Sequence, residues 1–170
     1  MHEVIRDCQK GDLRAFESIY RHFEQSLLNL GLRMLGKKED AEDAVQMAFL
    51  KLYRGIKNFR FNAKFSTYLF RIMMNCCFDA LQKRKRDSMQ NVEDLAFVYT
   101  PNVDLKLQIE DAIEKLPERM RACFVLFAIQ GMKQEDIANI MNLSVGAVKS
   151  HVFQAKAKLR VLLTADRTLG

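Results

Sequence analysis

The sequence predicts an all-α protein: two small helical domains joined by an acidic linker. Three observations predict it. Apolar residues recur at helical spacing through most of the chain, bounded by residues that cap and stop helices. Only two prolines and seven glycines punctuate 170 residues, and β-branched runs are few. Helical periodicity fails in one internal stretch, "DSMQNVEDLAFVYTPNVD" (residues 87–104), which is acidic, contains Pro101 and reads as a linker. This divides the chain into residues 1–86, a linker over 87–104, and residues 105–170.

Asp12 is placed to cap a helix running through Ala15, Phe16, Ile19, Tyr20, Phe23, Leu27, Leu30 and Met34, with Gly36 as its stop. A second helix starts in "KKEDAEDAVQMAFLKLYRGI", with its acids in the first turn, where the helix dipole favours them. Ala41, Val45, Ala48, Phe49, Leu52 and Ile56 form its apolar stripe, while Asp43, Met47, Leu50 and Arg54 fall on the opposite side. An exposed Met/Leu pair among charges fits a protein-binding face, and burial under a third helix is the competing explanation. That third helix begins at Ser66 and runs through "TYLFRIMMNCCFDALQKRKR". Past the linker, "LKLQIEDAIEKL" is broken at Pro117, "ERMRACFVLFAIQ" continues to Gly131, and two helices follow in "KQEDIANIMNLSVGAVKSHVFQAKAKLRVLL".

Hydrophobic residues make up 49% of the chain, enough for a core, and the formal charge is +6. The charge is sorted. Residues 51–86 hold ten bases and one acid, residues 87–118 eight acids and two bases, and residues 146–167 five bases and one acid. Two basic blocks flanking an acidic tether suggest two separate nucleic-acid contacts. No apolar run approaches the ~18 residues of a membrane span, and the N-terminus lacks a signal-peptide core, so a cytosolic protein is expected. Cys8, Cys76, Cys77 and Cys123 show no metal-ligand spacing and are expected to be reduced. With no ligand cluster, Gly-rich phosphate loop or His-centred acid/base group, neither a cofactor nor catalysis is expected.

Two stretches carry the chemistry. Between the second and third helices, and into the third, Lys57, Phe59, Arg60, Phe61, Lys64, Phe65, Tyr68, Phe70 and Arg71 interleave rings with cations. Single-stranded nucleic acid is held this way, by stacking platforms in an electrostatic groove; core packing accounts equally for some of the rings. Asn75 and Asp79 share a helix face and can read base edges, and the run from Lys83 and Arg84 to Arg86 can anchor phosphates. Near the C-terminus, Ile137, Ile140 and Met141, a tight Asn142-Leu143-Ser144 connection, a cap at Ser144 and a small Ala138 for close crossing read as helix-turn-helix. On the second of these helices Val148, Val152, Ala155 and Leu159 share one face, and Phe153 falls roughly 130° away from it. Outward there, beside Lys149, Ser150 and Gln154, a ring can touch a thymine methyl while Lys156 and Arg160 hold phosphates. Packing of Phe153 on another helix is the alternative.

Taken together, "RMLGKKEDAEDAVQMAFLKLYRGIKNFRFNAKFSTYLFRIMMNCCFDALQKRKR" resembles region 2, and "AIEKLPERMRACFVLFAIQGMKQEDIANIMNLSVGAVKSHVFQAKAKLR" region 4, of the extracytoplasmic-function (group IV) sigma factors of bacterial RNA polymerase. The resemblance implies docking on core RNA polymerase, on the β′ clamp helices through Asp43, Gln46, Met47, Leu50 and Arg54, and on the β flap. It implies capture of the −10 element as a single strand, with Phe59, Phe70, Ile72 and Asn75 lining a pocket for a flipped base. It implies −35 duplex reading by positions matching Lys149, Ser150, Phe153 and Gln154. The family is commonly held inactive by an anti-sigma factor, often membrane-bound. This chain departs from the family where Tyr68 replaces a usual Trp, His151 and Gln154 replace frequent Arg, and Met47 replaces a usual Glu. A stand-alone helix-turn-helix regulator is the rival reading, and it leaves the Met47/Leu50 face and the aromatic-basic loop without a task.

Overall fold

The computed structural model describes residues 1–90 and 105–165. These form eight α-helices with no strand among the described residues: α1 (His2–Gln9), α2 (Leu13–Leu35), α3 (Lys38–Gly55), α4 (Phe65–Gln90), α5 (Leu105–Glu114), α6 (Glu118–Phe124), α7 (Gln134–Met141) and α8 (Val145–Ala165). A 3-10 turn, Ile56–Asn58, follows α3, and a wider π-type turn, Val125–Ile129, follows α6. The linker expected over 87–104 lies largely outside the described residues; its first four positions continue α4.

The N-terminal helices start and stop for local reasons. The Asp12 carboxylate accepts from the N–H groups of Arg14 (2.8 Å) and Ala15 (3.3 Å), closing the head of α2. Gly36 ends α2 with φ 75°, its N–H donating to Leu32 O at 2.8 Å. Its missing side chain also admits the Glu114 carboxylate, which a Cβ would strike. Ile19, Leu27, Leu30 and Met34 of α2 pack with Ala44, Val45, Ala48 and Leu52 of α3 and Leu69 and Met73 of α4. Gly31 lets these helices close up, since a Cβ there would sit 3.0–3.1 Å from the Met73 and Ala41 side chains. The eight-residue α1, which sequence periodicity does not reveal, buries Ile5 and Cys8 in the same core.

The C-terminal helices do not stand apart. Their core of Ile113, Leu116, Cys123, Leu126, Ile137, Val148, Val152 and Ala155 is continuous with that of the N-terminal bundle. Arg121 is the joint. Its guanidinium is buried and donates to Met34 O at the end of α2 (2.7 Å), Leu116 O (3.1 Å) and Glu114 O. Burial pulls its pKa down while Glu114 and Glu118 push it back up. Arg33–Glu110 (2.9 Å), Lys85–Glu118 (2.8 Å) and Gln130 Nε2 to Ser26 O (3.2 Å) add polar ties.

Candidate nucleic-acid interface

The first face is on α3. Asp43, Gln46, Met47, Leu50 and Arg54 are all exposed, Met47 at 46% and Leu50 at 41%. Burial of this stripe under another helix is thereby excluded, because α4 packs on the opposite side of α3. The structure adds Tyr53, which is exposed and held edge-on by Phe16 at 5.2 Å between ring centroids. Tyr53 follows Leu50 by three residues, so helical spacing alone pointed to it.

The second face is the loop after α3 with the start of α4. Asn58, Arg60, Asn62, Thr67, Tyr68 and Arg71 line a cavity of about 190 Å³ whose floor is Phe59. Here the expected ring platform needs correction. Phe59 is only 7% exposed, packed by Phe61, Phe65 and Tyr68 at 5.0, 5.4 and 5.2 Å, so Tyr68 offers the more accessible ring. Phe70, at 4%, belongs to the core, and neither it nor the half-buried Ile72 lines this cavity. The cause is packing: α2, α3 and α7 all lie against α4, and Phe70 falls among its buried positions.

Several expected DNA contacts are engaged within the fold. Asn75 lies with Arg71, Phe78, Arg119 and Asn142 around a polar cavity of about 480 Å³ between α4 and the C-terminal helices. Lys64 Nζ donates to Asp136 Oδ2 (2.6 Å), Thr67 Oγ1 to Asp136 Oδ1 (3.4 Å), and Arg71 Nη2 to Asn139 O (2.6 Å). Asp79 accepts from Lys51 of α3 at 3.2 Å. Arg84 is no free phosphate anchor: it donates to Leu35 O and pairs with Asp40, tying α4 to the α2–α3 corner. Lys83 and Arg60 remain exposed.

The third face is α8. Asn142 turns the chain at φ 53°, and Ser144 Oγ accepts from Ala147 N at 3.1 Å, the cap the sequence implied. Val148, Val152, Ala155 and Leu159 are buried. Lys149, Ser150, Phe153, Gln154, Lys156 and Arg160 all point outward, and Phe153 is 75% exposed, so it packs on no other helix among the described residues. Gln154 Nε2 donates to Ser150 Oγ (3.2 Å), and the Lys156 ammonium lies 5.3 Å from the Phe127 ring centroid, which orients it.

The four thiols are free and buried. Burial pushes Cys77 up to about 12 and Cys123 to about 11, so both stay protonated near neutral pH. Among the described residues no group of His, Cys, Asp or Glu could hold a metal ion, and no helix is long and apolar enough to cross a membrane.

Comparison with known proteins matches Sigma-70 region 2 to residues 19–87 and Sigma-70 region 4 to residues 106–159. The ECF RNA polymerase sigma factor SigM of Mycobacterium tuberculosis is 34% identical across 95% of this chain and 83% of its own length. The ECF RNA polymerase sigma factor SigW of Bacillus subtilis is 34% identical across 92% of each. Among solved structures, the sigma factor RpoE of Bartonella quintana, crystallised with the anti-sigma factor NepR, superimposes with a TM-score of 0.74 at 25% identity, covering 89% of this chain and 98% of that one. Both region matches stand in the same order as the two helical units, and the relatives span nearly the whole chain: it belongs to the ECF family of RNA polymerase sigma factors.

Proposed function

We propose that this sigma factor uses its three faces for three tasks. The α3 face around Met47 and Leu50 joins core RNA polymerase, the loop–α4 cavity captures an unstacked −10 base, and α8 reads the −35 duplex. The observation that carries this is the separation of exposed groups: apolar on α3, ring-lined and cationic at the head of α4, basic and ring-tipped on α8. Unstacking a base costs a few kcal/mol, which cavity contacts and flanking cations offset. Residues 1–86 and 105–170 act as the two working units. RNA synthesis remains the chemistry of the polymerase, and the chain acts in the bacterial cytoplasm. An anti-sigma factor, such as the one crystallised with the Bartonella quintana relative, would act here by covering the α3 or DNA-facing surfaces. Promoter-specific transcription by purified core enzyme, dependent on added protein, is the expected result; duplex binding with no effect on initiation would favour a stand-alone regulator.

The described arrangement sets a condition on the −10 task. Asp136 holds Lys64 and Thr67 where a phosphate would otherwise sit, and Arg71 is held by α7, so α7 must leave α4 before a strand can lie there. An exposed pair of this kind contributes up to ~1 kcal/mol, and each 1.4 kcal/mol is tenfold in a population. Asp136→Arg should therefore tighten binding of a single-stranded −10 oligonucleotide by the free protein about fivefold, and change holoenzyme binding little. Glu135→Arg, which adds the same charge on the same helix outside the clasp, is the control. Equal tightening by both would show that charge alone, not opening, is responsible.

On α8 the two kinds of contact separate by mutation. Phe153→Ala should leave the melting temperature unchanged and reduce transcription only from promoters carrying the contacted thymine methyl. Lys156→Ala should weaken all promoters alike and lower the salt slope of binding by about one unit. A −35 substitution series read with both variants distinguishes them.

A further inference from the structure

The short helix α1 touches the base-capturing loop at two points, both through one of its faces. His2, Arg6 and Gln9 lie at positions i, i+4 and i+7 and so share a face, while Ile5 and Cys8, on the flank beside it, are buried in the bundle core. The Gln9 side-chain amide has two hydrogens, and both are used: Nε2 donates to Ile56 O at 2.9 Å and to Phe59 O at 2.8 Å. These carbonyls bracket the 3-10 turn that launches the loop, and Ile56 O also accepts from Phe59 N. Two residues on, Phe61 adopts φ 57°, a left-handed conformation that a bulky residue seldom takes without support. Its ring is supported: the His2 ring packs against it at a tilt of 50°, with 5.4 Å between centroids, and the Arg6 guanidinium lies 5.7 Å from the ring centroid. Between these two fastenings lies Arg60, and just beyond them Asn62, both lining the 190 Å³ cavity.

We propose that α1 is a splint for the base-capturing loop and that Gln9 is its positioning residue. The inference rests on reading that cavity as the site of −10 base capture. Gln9 need touch no DNA. By fixing both carbonyls of the turn it removes the conformational freedom that the loop would otherwise lose on binding, which improves affinity without a new contact. A fixed cavity also discriminates among bases, because discrimination requires that the walls not yield to the wrong one. Nothing in the local sequence announces this, since the donor and its acceptors are separated by 47 and 50 residues.

The test uses holoenzyme assembled from the full chain and a promoter fragment with a pre-melted −10 bubble, varied at the captured base. Gln9→Leu, which removes both donors, should weaken bubble binding about tenfold and flatten the ranking of the four bases. Affinities for core polymerase and for a −35-only duplex should hold at wild-type values. Gln9→Lys, which restores donors to the same carbonyls, should recover most of the ranking. His2→Ala with Arg6→Ala, both at exposed positions, should flatten the ranking by releasing Phe61, even where Gln9→Leu folds poorly. If wild-type holoenzyme binds bubble and duplex equally, the capture reading falls and the splint with it. If wild type prefers the bubble but the Gln9 and His2/Arg6 variants keep its affinity and base ranking, the splint alone is overturned. A uniform loss of core, −35 and bubble binding that Gln9→Lys does not repair would overturn it as well, reducing α1 to a structural prop.

Discussion

Leu50→Asp is expected to weaken assembly with core RNA polymerase at least ~100-fold while leaving the fold intact. In the free chain Leu50 is 41% exposed, with Met47 and Tyr53 beside it on the same side of α3. A carboxylate placed there stays hydrated, and surface substitutions of this kind change stability by about 0.5 kcal/mol or less. Once docked, the same carboxylate must shed its water without a partner, which costs several kcal/mol, and the apolar contact is lost too. At 1.4 kcal/mol per factor of ten, a loss of about 3 kcal/mol gives roughly two decades in affinity. Fluorescence-detected binding to core enzyme, paired with a thermal melt, checks both halves. Wild-type affinity in a folded Leu50→Asp protein would show that polymerase docks elsewhere.

That face was legible in the sequence for a simple reason. On an amphipathic helix the buried stripe identifies its own opposite side, so apolar residues outside the stripe stand out at once. Met47, Leu50 and Phe153 all stand out this way, and all three are exposed. The caps at Asp12 and Ser144 and the stop at Gly36 were equally readable, because each acts on groups within four residues.

What escaped the sequence acts over longer distances. The α1 helix buries only Ile5 and Cys8, too few apolar contacts to establish a period. The π-type turn after α6 inserts its extra residue with no local signature. Arg121 looks like any helix-surface charge until α2 supplies the Met34 carbonyl 87 positions away. In sequence terms every cation of the N-terminal block is available to DNA, yet Lys64, Arg71 and Arg84 have partners on other helices. Rings were the hardest to apportion. An aromatic residue in a loop between helices serves packing and stacking equally well in sequence terms, and only the assembled cluster shows which side of Phe59 is covered.

Phe59→Ala is accordingly expected to act first on stability, not on DNA. With Phe61, Phe65 and Tyr68 packed around it, the ring is nearly sealed, and removing a buried phenyl group costs about 3–5 kcal/mol. For a chain of this size 1 kcal/mol shifts the melting temperature by about 2–4 °C, so a drop near 10 °C is expected. Phe59→Leu, which keeps most of the volume, should recover more than half of it. On the proposed reading the stacking contribution falls instead to Tyr68, half-buried at the cavity wall, where a base–aromatic stack is worth about 1–3 kcal/mol. Tyr68→Ala should therefore reduce bubble-promoter binding by tenfold or more at a smaller cost in melting temperature, and Tyr68→Phe should retain it. If Phe59→Ala instead melts like wild type and loses the bubble, the ring is reached by the base after all, and the cavity must open past its present floor when a strand enters.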